Sequence, residues 1–240
     1  KGKLEELARV AIGAFSLDAV VEFGRKIHDA GLDLEKSNAL LNGALAATQH
    51  AAGLTREEID GLVDSLSKTT TFDDDGLKKA AAALLRFRDV QGDTFKQSLT
   101  LAPDLATALG TDVVSAAQSI GKALEDPAGG MRGLKAAGVD LSEQQIDLAK
   151  KLRETGDYAG AQKIVIDQLT ASIGGQAGAA NGGLTKAAAD TAKAWDNFLK
   201  AIAGSSAYGG MIQHFQENAS SRLGILADDI RMLDQLWQKF

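Results

Sequence analysis

The sequence predicts an all-α protein, a multi-helix bundle of about nine or ten helices of ordinary length. Three observations carry this. Only two prolines, Pro103 and Pro127, fall in 240 residues, so long stretches lack the residue that removes an amide donor and breaks helices. About forty alanines supply the best intrinsic helix former. Eight Phe, two Trp and two Tyr, with only short β-branched runs, leave strand signals poor. The best strand candidate, Ile164-Val165-Ile166, has helix-like flanks.

The punctuation sets the elements in order. Ser16 caps a helix to about Ala30, with Gly31 as a left-handed stop. Asp33 opens the next helix, which Gly53 ends. In Leu54-Thr55-Arg56-Glu57-Glu58-Ile59, Thr55 and Glu58 fit a capping box, and Leu54 and Ile59 fit the hydrophobic staple around it. Asp73-Asp74-Asp75 suit the positive N-terminal end of a helix beginning near Leu77. Gly110, Gly138 and Gly156 are stops, and Asp126-Pro127 is a start with proline where its missing N–H costs nothing. Leu141-Ser142-Glu143-Gln144-Gln145-Ile146 repeats the capping box and staple, with Gln145 in the reciprocal role. Each box heads a helix that turns into a second one, Leu77 to Phe87 and Tyr158 to Leu169, without the sustained period of a solenoid.

Glycine content divides the chain. The run from Gly174 to Gly183 reads as a flexible linker, and Gly204 to Gly210 as a second break. The expected organisation is a helical globular domain over 1–173, a Gly/Ala-rich linker over 174–184 and C-terminal helices over 185–240. The last of these, 211–240, is coiled-coil-like. There Ala219, Leu223, Leu226, Ile230, Leu233, Trp237 and Phe240 alternate at spacings of four and three, a heptad seam. Arg222, Asp228, Asp229, Arg231 and Lys239 lie off it. Leu223, Leu226, Ile230, Leu233, Trp237 and Phe240 are therefore the candidate surface for an oligomer or a partner helix. The alternative is that the stripe packs on the chain's own bundle.

Composition excludes several function classes. A chain with 45% hydrophobic and 24% charged residues is not a disordered tail. It has no cysteine, hence no disulfide framework and no thiolate chemistry. The formal net charge is −6 with both signs interspersed, and no basic stripe marks a sequence-specific nucleic-acid reader. No window offers the roughly 18 uncharged apolar residues of a membrane span. Gln168 to Thr185 is uncharged but rich in Gly, Ala and Asn. The start at Lys1, without a secretory leader pattern, and the end inside a helical pattern lead us to expect a segment of a longer product.

Catalytic motifs are weak. His28, His50 and His214 are far apart and form no metal-binding helical pair. Gly204-Ser205-Ser206-Ala207-Tyr208-Gly209 places its second glycine one residue late for a nucleophile elbow, and no strand precedes it. Gly121-Lys122 lacks the earlier glycine and the following hydroxyl residue of a phosphate loop. Asp126-Pro127-Ala128-Gly129-Gly130-Met131 reads as a tight inter-helix turn whose acid would repel phosphate. Asp73-Asp74-Asp75 lacks the spacing and final Glu of a calcium loop. The expectation is no enzyme, no cofactor and no metal.

An ordered series fills the middle of the chain. Phe87-Arg88-Asp89-Val90-Gln91-Gly92-Asp93-Thr94-Phe95 is followed by Asp104 to Asp112, then by Ile120-Gly121-Lys122-Ala123-Leu124-Glu125-Asp126-Pro127. Leu134-Lys135-Ala136-Ala137-Gly138-Val139, Ser142 to Ile146 and Glu154 to Ile164 come next, and the run closes on Gly174-Gly175. This order and spacing resembles the tail length tape measure proteins of long-tailed bacteriophages and prophages. The match covers about half of the chain, from about Phe72 to Ala180. Leu7 to Gly53 looks like that family's helical lead-in.

The resemblance implies a structural virion protein made in the bacterial host cytoplasm and placed in the tail lumen. There it would set tail length during assembly and leave ahead of the genome at ejection. It implies as partners the tail tube and tail tip proteins, tail assembly chaperones and further copies in a parallel helical oligomer. It supplies no catalytic residues. An α-helix rises 1.5 Å per residue, so a helical chain converts gene length into physical length, whereas a compact bundle does not. Two other readings are a helical protein–protein interaction module of non-viral role and a helical peptidoglycan-cleaving enzyme domain. The first rests on Gly156-Asp157-Tyr158 followed by Ala161, a single tetratricopeptide-like turn without the repeat period. The second would need a carboxylate pair that nothing singles out among 32 acids.

Overall fold

A computed structural model of the chain describes residues 17–48 and 53–205. The protein is all-α, a multi-helix bundle with no strand among the described residues. In order the helices are α1 (Leu17–Ala47), α2 (Arg56–Thr69), α3 (Asp74–Leu84), α4 (Gly92–Leu109) and α5 (Val113–Glu125). Then come α6 (Pro127–Ala136), α7 (Glu143–Glu154), α8 (Tyr158–Ile173), α9 (Gln176–Ala180) and α10 (Gly183–Ala203). Two compact units result. One is Asp33–Ala194; the other draws on Lys1–Leu32 and Trp195–Phe240, of which 17–32 and 195–205 are described.

Local chemistry explains where the helices start. The Thr55 hydroxyl accepts from Glu58 N–H at 3.2 Å and the Glu58 carboxylate accepts from Thr55 N–H at 2.8 Å, so the first capping box is complete. Asp73, Asp112 and Asp157 cap α3, α5 and α8 by accepting from Gly76, Ser115 and Gly160 N–H. The Ser115 hydroxyl also donates to Asp112, and with the Ser115 amide it holds that carboxyl below the usual aspartate range. The second box does not form, and the Ser142 N–H meets the Gln168 side-chain oxygen at 3.5 Å instead of Gln145. Ser142 stands at the N-cap of α7 but its side chain makes no capping bond. The staple residues Leu141 and Ile146 are nonetheless both buried, so apolar burial fixes this start.

The larger unit is built around α5. Its buried residues are Val113, Ala116, Ala117, Ile120, Gly121, Ala123 and Leu124, and α3, α4, α6 and α8 all pack against it. Most of these side chains are small, so neighbours come close. A Cβ on Gly121 would lie 2.2 Å from the Phe87 ring, and one on Gly130 would lie 2.4 Å from the Ala123 Cα. Larger side chains fill the space around this contact: Phe95, Leu99 and Leu105 from α4, Met131 from α6, and Leu77 and Leu84 from α3. Each such fully buried side chain contributes about 1.5–3 kcal/mol. In the smaller unit Ile27 and Ala30 of α1 bury against Leu199, with Ile202 and Ala203 packed on them.

Four expectations meet a different outcome. The chain does not stop at Gly31 and restart at Asp33; α1 runs unbroken through both. A Cβ on Gly31 would lie 2.9 Å from the Ala203 Cβ, so this glycine admits a neighbouring helix rather than ending its own. Gly129 and Gly130 lie inside α6 instead of forming a loop, and Asp126 is the single residue between α5 and α6. The 174–184 stretch contains helix α9, with Ala177 and Asn181 buried, and so is a built part of the larger unit. The boundary between units falls within α10 instead of at 174–184. The heptad-patterned segment 211–240 lies outside the described residues.

Two glycines on α6 make the close-approach argument testable. Gly130 meets the α5 backbone, whereas nothing lies within 4 Å of a Cβ on Gly133. Gly130→Ala should destabilise by about 1–3 kcal/mol because the helices must separate. Gly133→Ala should stabilise by about 0.5–1 kcal/mol through helix propensity. Urea denaturation of both variants measures this; equal signs would refute the packing account.

Candidate functional site

The predicted seam residues Leu223, Leu226, Ile230, Leu233, Trp237 and Phe240 lie outside the described residues. An aromatic ledge is described in the smaller unit. Phe23 of α1 and Trp195 and Phe198 of α10 are 38%, 48% and 49% exposed. The Phe23 and Trp195 ring centroids are 6.1 Å apart, and those of Trp195 and Phe198 are 5.4 Å apart. Both separations fall in the range of favourable tilted ring pairs. In sequence, Trp195, Phe198 and Ile202 keep the three-and-four spacing of the 219–240 seam, with Trp195 four heptads before Leu223. That phase match was the signal available from sequence, hidden by the glycines between Gly204 and Gly210.

In the larger unit Asp104 of α4 is a buried carboxylate, 8% exposed. Its carboxylate accepts from Gly175 N–H at 2.9 Å and from Ala177 N–H at 2.8 Å. One side chain thus holds the entry to α9, satisfying two amides that the helix leaves orphaned. Beside it an open groove of about 820 Å³ has walls from Leu101, Ile166, Thr170, Ala171 and Gly174, with Lys96 and Asp167 among them. A second groove, about 510 Å³, lies along Lys122, Asp126 and the glycines Gly129, Gly130 and Gly133. A third, about 300 Å³, is lined by Asp126, Lys150, Arg153, Glu154 and Tyr158. There the Arg153 guanidinium lies over the Tyr158 ring at 5.1 Å, and Lys150 pairs with Glu154 at 3.6 Å.

Of the residues considered for chemistry, Asp73, Asp75 and Gly121 make structural contacts. His28 is exposed on α1, and His50 and His214 lie outside the described residues. Asp73 caps α3, and Asp75 is buried with the Ser37 hydroxyl donating to it at 2.6 Å. Gly121 sits under the Phe87 ring. Among the described residues no group of three or more His, Cys, Asp or Glu gathers as a metal site, and no helix is long and apolar enough to cross a membrane.

No protein-family model, no curated protein and no solved structure matches the chain. Its functional reading therefore rests on its own residues.

The Asp104 contact yields a sharp expectation. Asp104→Ala leaves two amides without their acceptor and should cost about 2–4 kcal/mol. It should also open 174–181 to limited proteolysis before the rest of the unit. A loss below about 0.5 kcal/mol, the range of a plain surface change, would show that α9 is held by something else.

Proposed function

We propose that the chain is a structural segment of a tail length tape measure protein of a long-tailed bacteriophage or prophage. In this role it takes part in tail length determination, tail assembly and exit ahead of the genome. It would act in the tail lumen, after synthesis in the host cytoplasm, beside tail tube and tip proteins, assembly chaperones and further copies of itself. It carries no catalytic role. The ordered series from Phe87 to Gly175 is the observation that carries the reading.

The position of that series in the fold supports a scaffolding role for it. Phe87 closes over Gly121, while Ile120, Ala123, Leu124, Pro127, Leu134 and Val139 are all buried. Gln162 donates to the Asp89 carbonyl at 2.8 Å and ties two pieces of the series together across 73 residues. Residues that would carry the family likeness are thus those that build the bundle. The Trp195 and Phe198 rings, in phase with the 219–240 seam, suit contact with further helices. A compact unit such as Asp33–Ala194 is not itself a ruler, so the length-setting part of this segment is assigned to 211–240.

The test is a deletion in a phage that encodes this chain. Removing Gln213 to Lys239 with one neighbouring residue takes out four whole heptads. Negative-stain electron microscopy should then find tails shorter by about 42 Å, from 28 residues at 1.5 Å each. Viable virions with unchanged tails would refute the length-setting assignment.

A further inference from the structure

The part of helix α10 that belongs to the larger unit, residues 183–194, joins the rest of that unit in an unusual way. From Thr185 to Ala194 none of its side chains is buried. Lys186, Ala189 and Lys193 are half-buried, at helical spacings of three and four that put them on one face. This face is polar and contributes little apolar burial. Its defined tie is Lys193, whose ammonium donates to the main-chain carbonyls of Ser67 and Thr70. Those carbonyls close the C-terminal end of α2, where the helix leaves acceptors unsatisfied and its dipole favours a cation.

The surroundings add to this socket. Asp73 and Asp74 at the start of α3 attract the Lys193 charge, as does Asp190 on its own helix, while Lys186 repels it. Burial nonetheless dominates and draws the ammonium below the usual lysine range. The docked state therefore holds a charge at a desolvation cost that the two carbonyls and the acids offset. On the N-terminal side, Gly182 precedes the helix and Gly183 opens it with φ of +57°, a left-handed backbone suited to glycine and to a pivot.

We propose that Gly183–Ala194 is a releasable strap over the α2–α3 junction, held shut by the Lys193 clasp and able to open while the core around α5 stays folded. This goes beyond the tail assignment and does not depend on it, because the strap is a property of the isolated chain.

The chain has no cysteine, so paired spin labels can be placed cleanly at Ser65→Cys on α2 and Ala187→Cys on α10. Both positions are exposed. Electron–electron resonance of the full chain should give one narrow distance with Lys193 present. Lys193→Met keeps the aliphatic stem and removes the donors. Losing two charged hydrogen bonds should move the docked-to-open ratio by at least about tenfold, seen as a broad, longer distance. Circular dichroism and the urea midpoint should remain close to the parent's. An unchanged narrow distance in Lys193→Met would overturn the proposal, since the clasp would not hold the strap. So would loss of helicity throughout the larger unit, since the strap would then be part of the core. Lys186→Met serves as the control and should leave the narrow distance in place.

Discussion

The larger unit depends on how closely its helices can approach α5. Ala116, Ala117, Gly121 and Ala123 present almost no side chain, so α3, α4, α6 and α8 can come close to its backbone between the larger Val113, Ile120 and Leu124. Close approach of this kind gains dispersion contacts that a larger spacing would forfeit. It also sets what the outer residues must be. Phe87 lies over Gly121 because a ring fits where a Cβ does not, and Gly130 faces the Ala123 backbone for the same reason. Phe95, Leu99, Met131 and Leu134 then fill the gaps that curve away from the contact.

Beside their apolar packing, distant parts of the larger unit are joined by a few polar ties that differ in strength. Asp104 binds Gly175 and Ala177, Ser37 binds Asp75, and Gln162 binds the Asp89 carbonyl, each across dozens of residues and each buried at least in part. Satisfied inside the protein, such bonds fix one arrangement, because breaking one leaves a buried group without a partner. The Lys193 clasp is of another kind, half-exposed and on a stretch of helix, residues 185–194, with no buried side chain. Exposed pairs such as Lys68 with Asp64 or Lys163 with Asp167 contribute little to either. This contrast is what makes the tail reading and the strap physically compatible: a firm core with one element attached to it weakly.

Legibility in the sequence followed the range of the cause. The Thr55–Glu58 box was legible because all its partners lie within four residues. The all-α class was legible from composition alone. Ser142 showed the same spacing, yet its side chain makes no capping bond and burial of Leu141 and Ile146 suffices. Gly31 looked like a stop because its reason, Ala203, is remote in sequence. The 174–184 run looked like a linker because Asp104, which holds it, sits 71 residues away. Glycine is ambiguous in this way: one residue type serves loop freedom and close packing, and only the tertiary neighbour decides. The aromatic ledge was half legible, as the helices expected over 185–240 include Trp195 and Phe198 but their pairing with Phe23 did not show. The Lys193 socket was not legible, since a lysine among alanines reads as a solvated face.

Native-state hydrogen exchange across the whole chain tests the central claim, that close packing on α5 is what the larger unit stands on. Amides of Val113–Glu125 should be the slowest to exchange and should do so only through global unfolding, with a urea dependence equal to that of the full transition. Amides of α7, where only Ile146 and Ala149 are buried, should exchange earlier through partial opening. Exchange in α5 as fast as in α7, or with a weaker urea dependence than the global transition, would contradict the account.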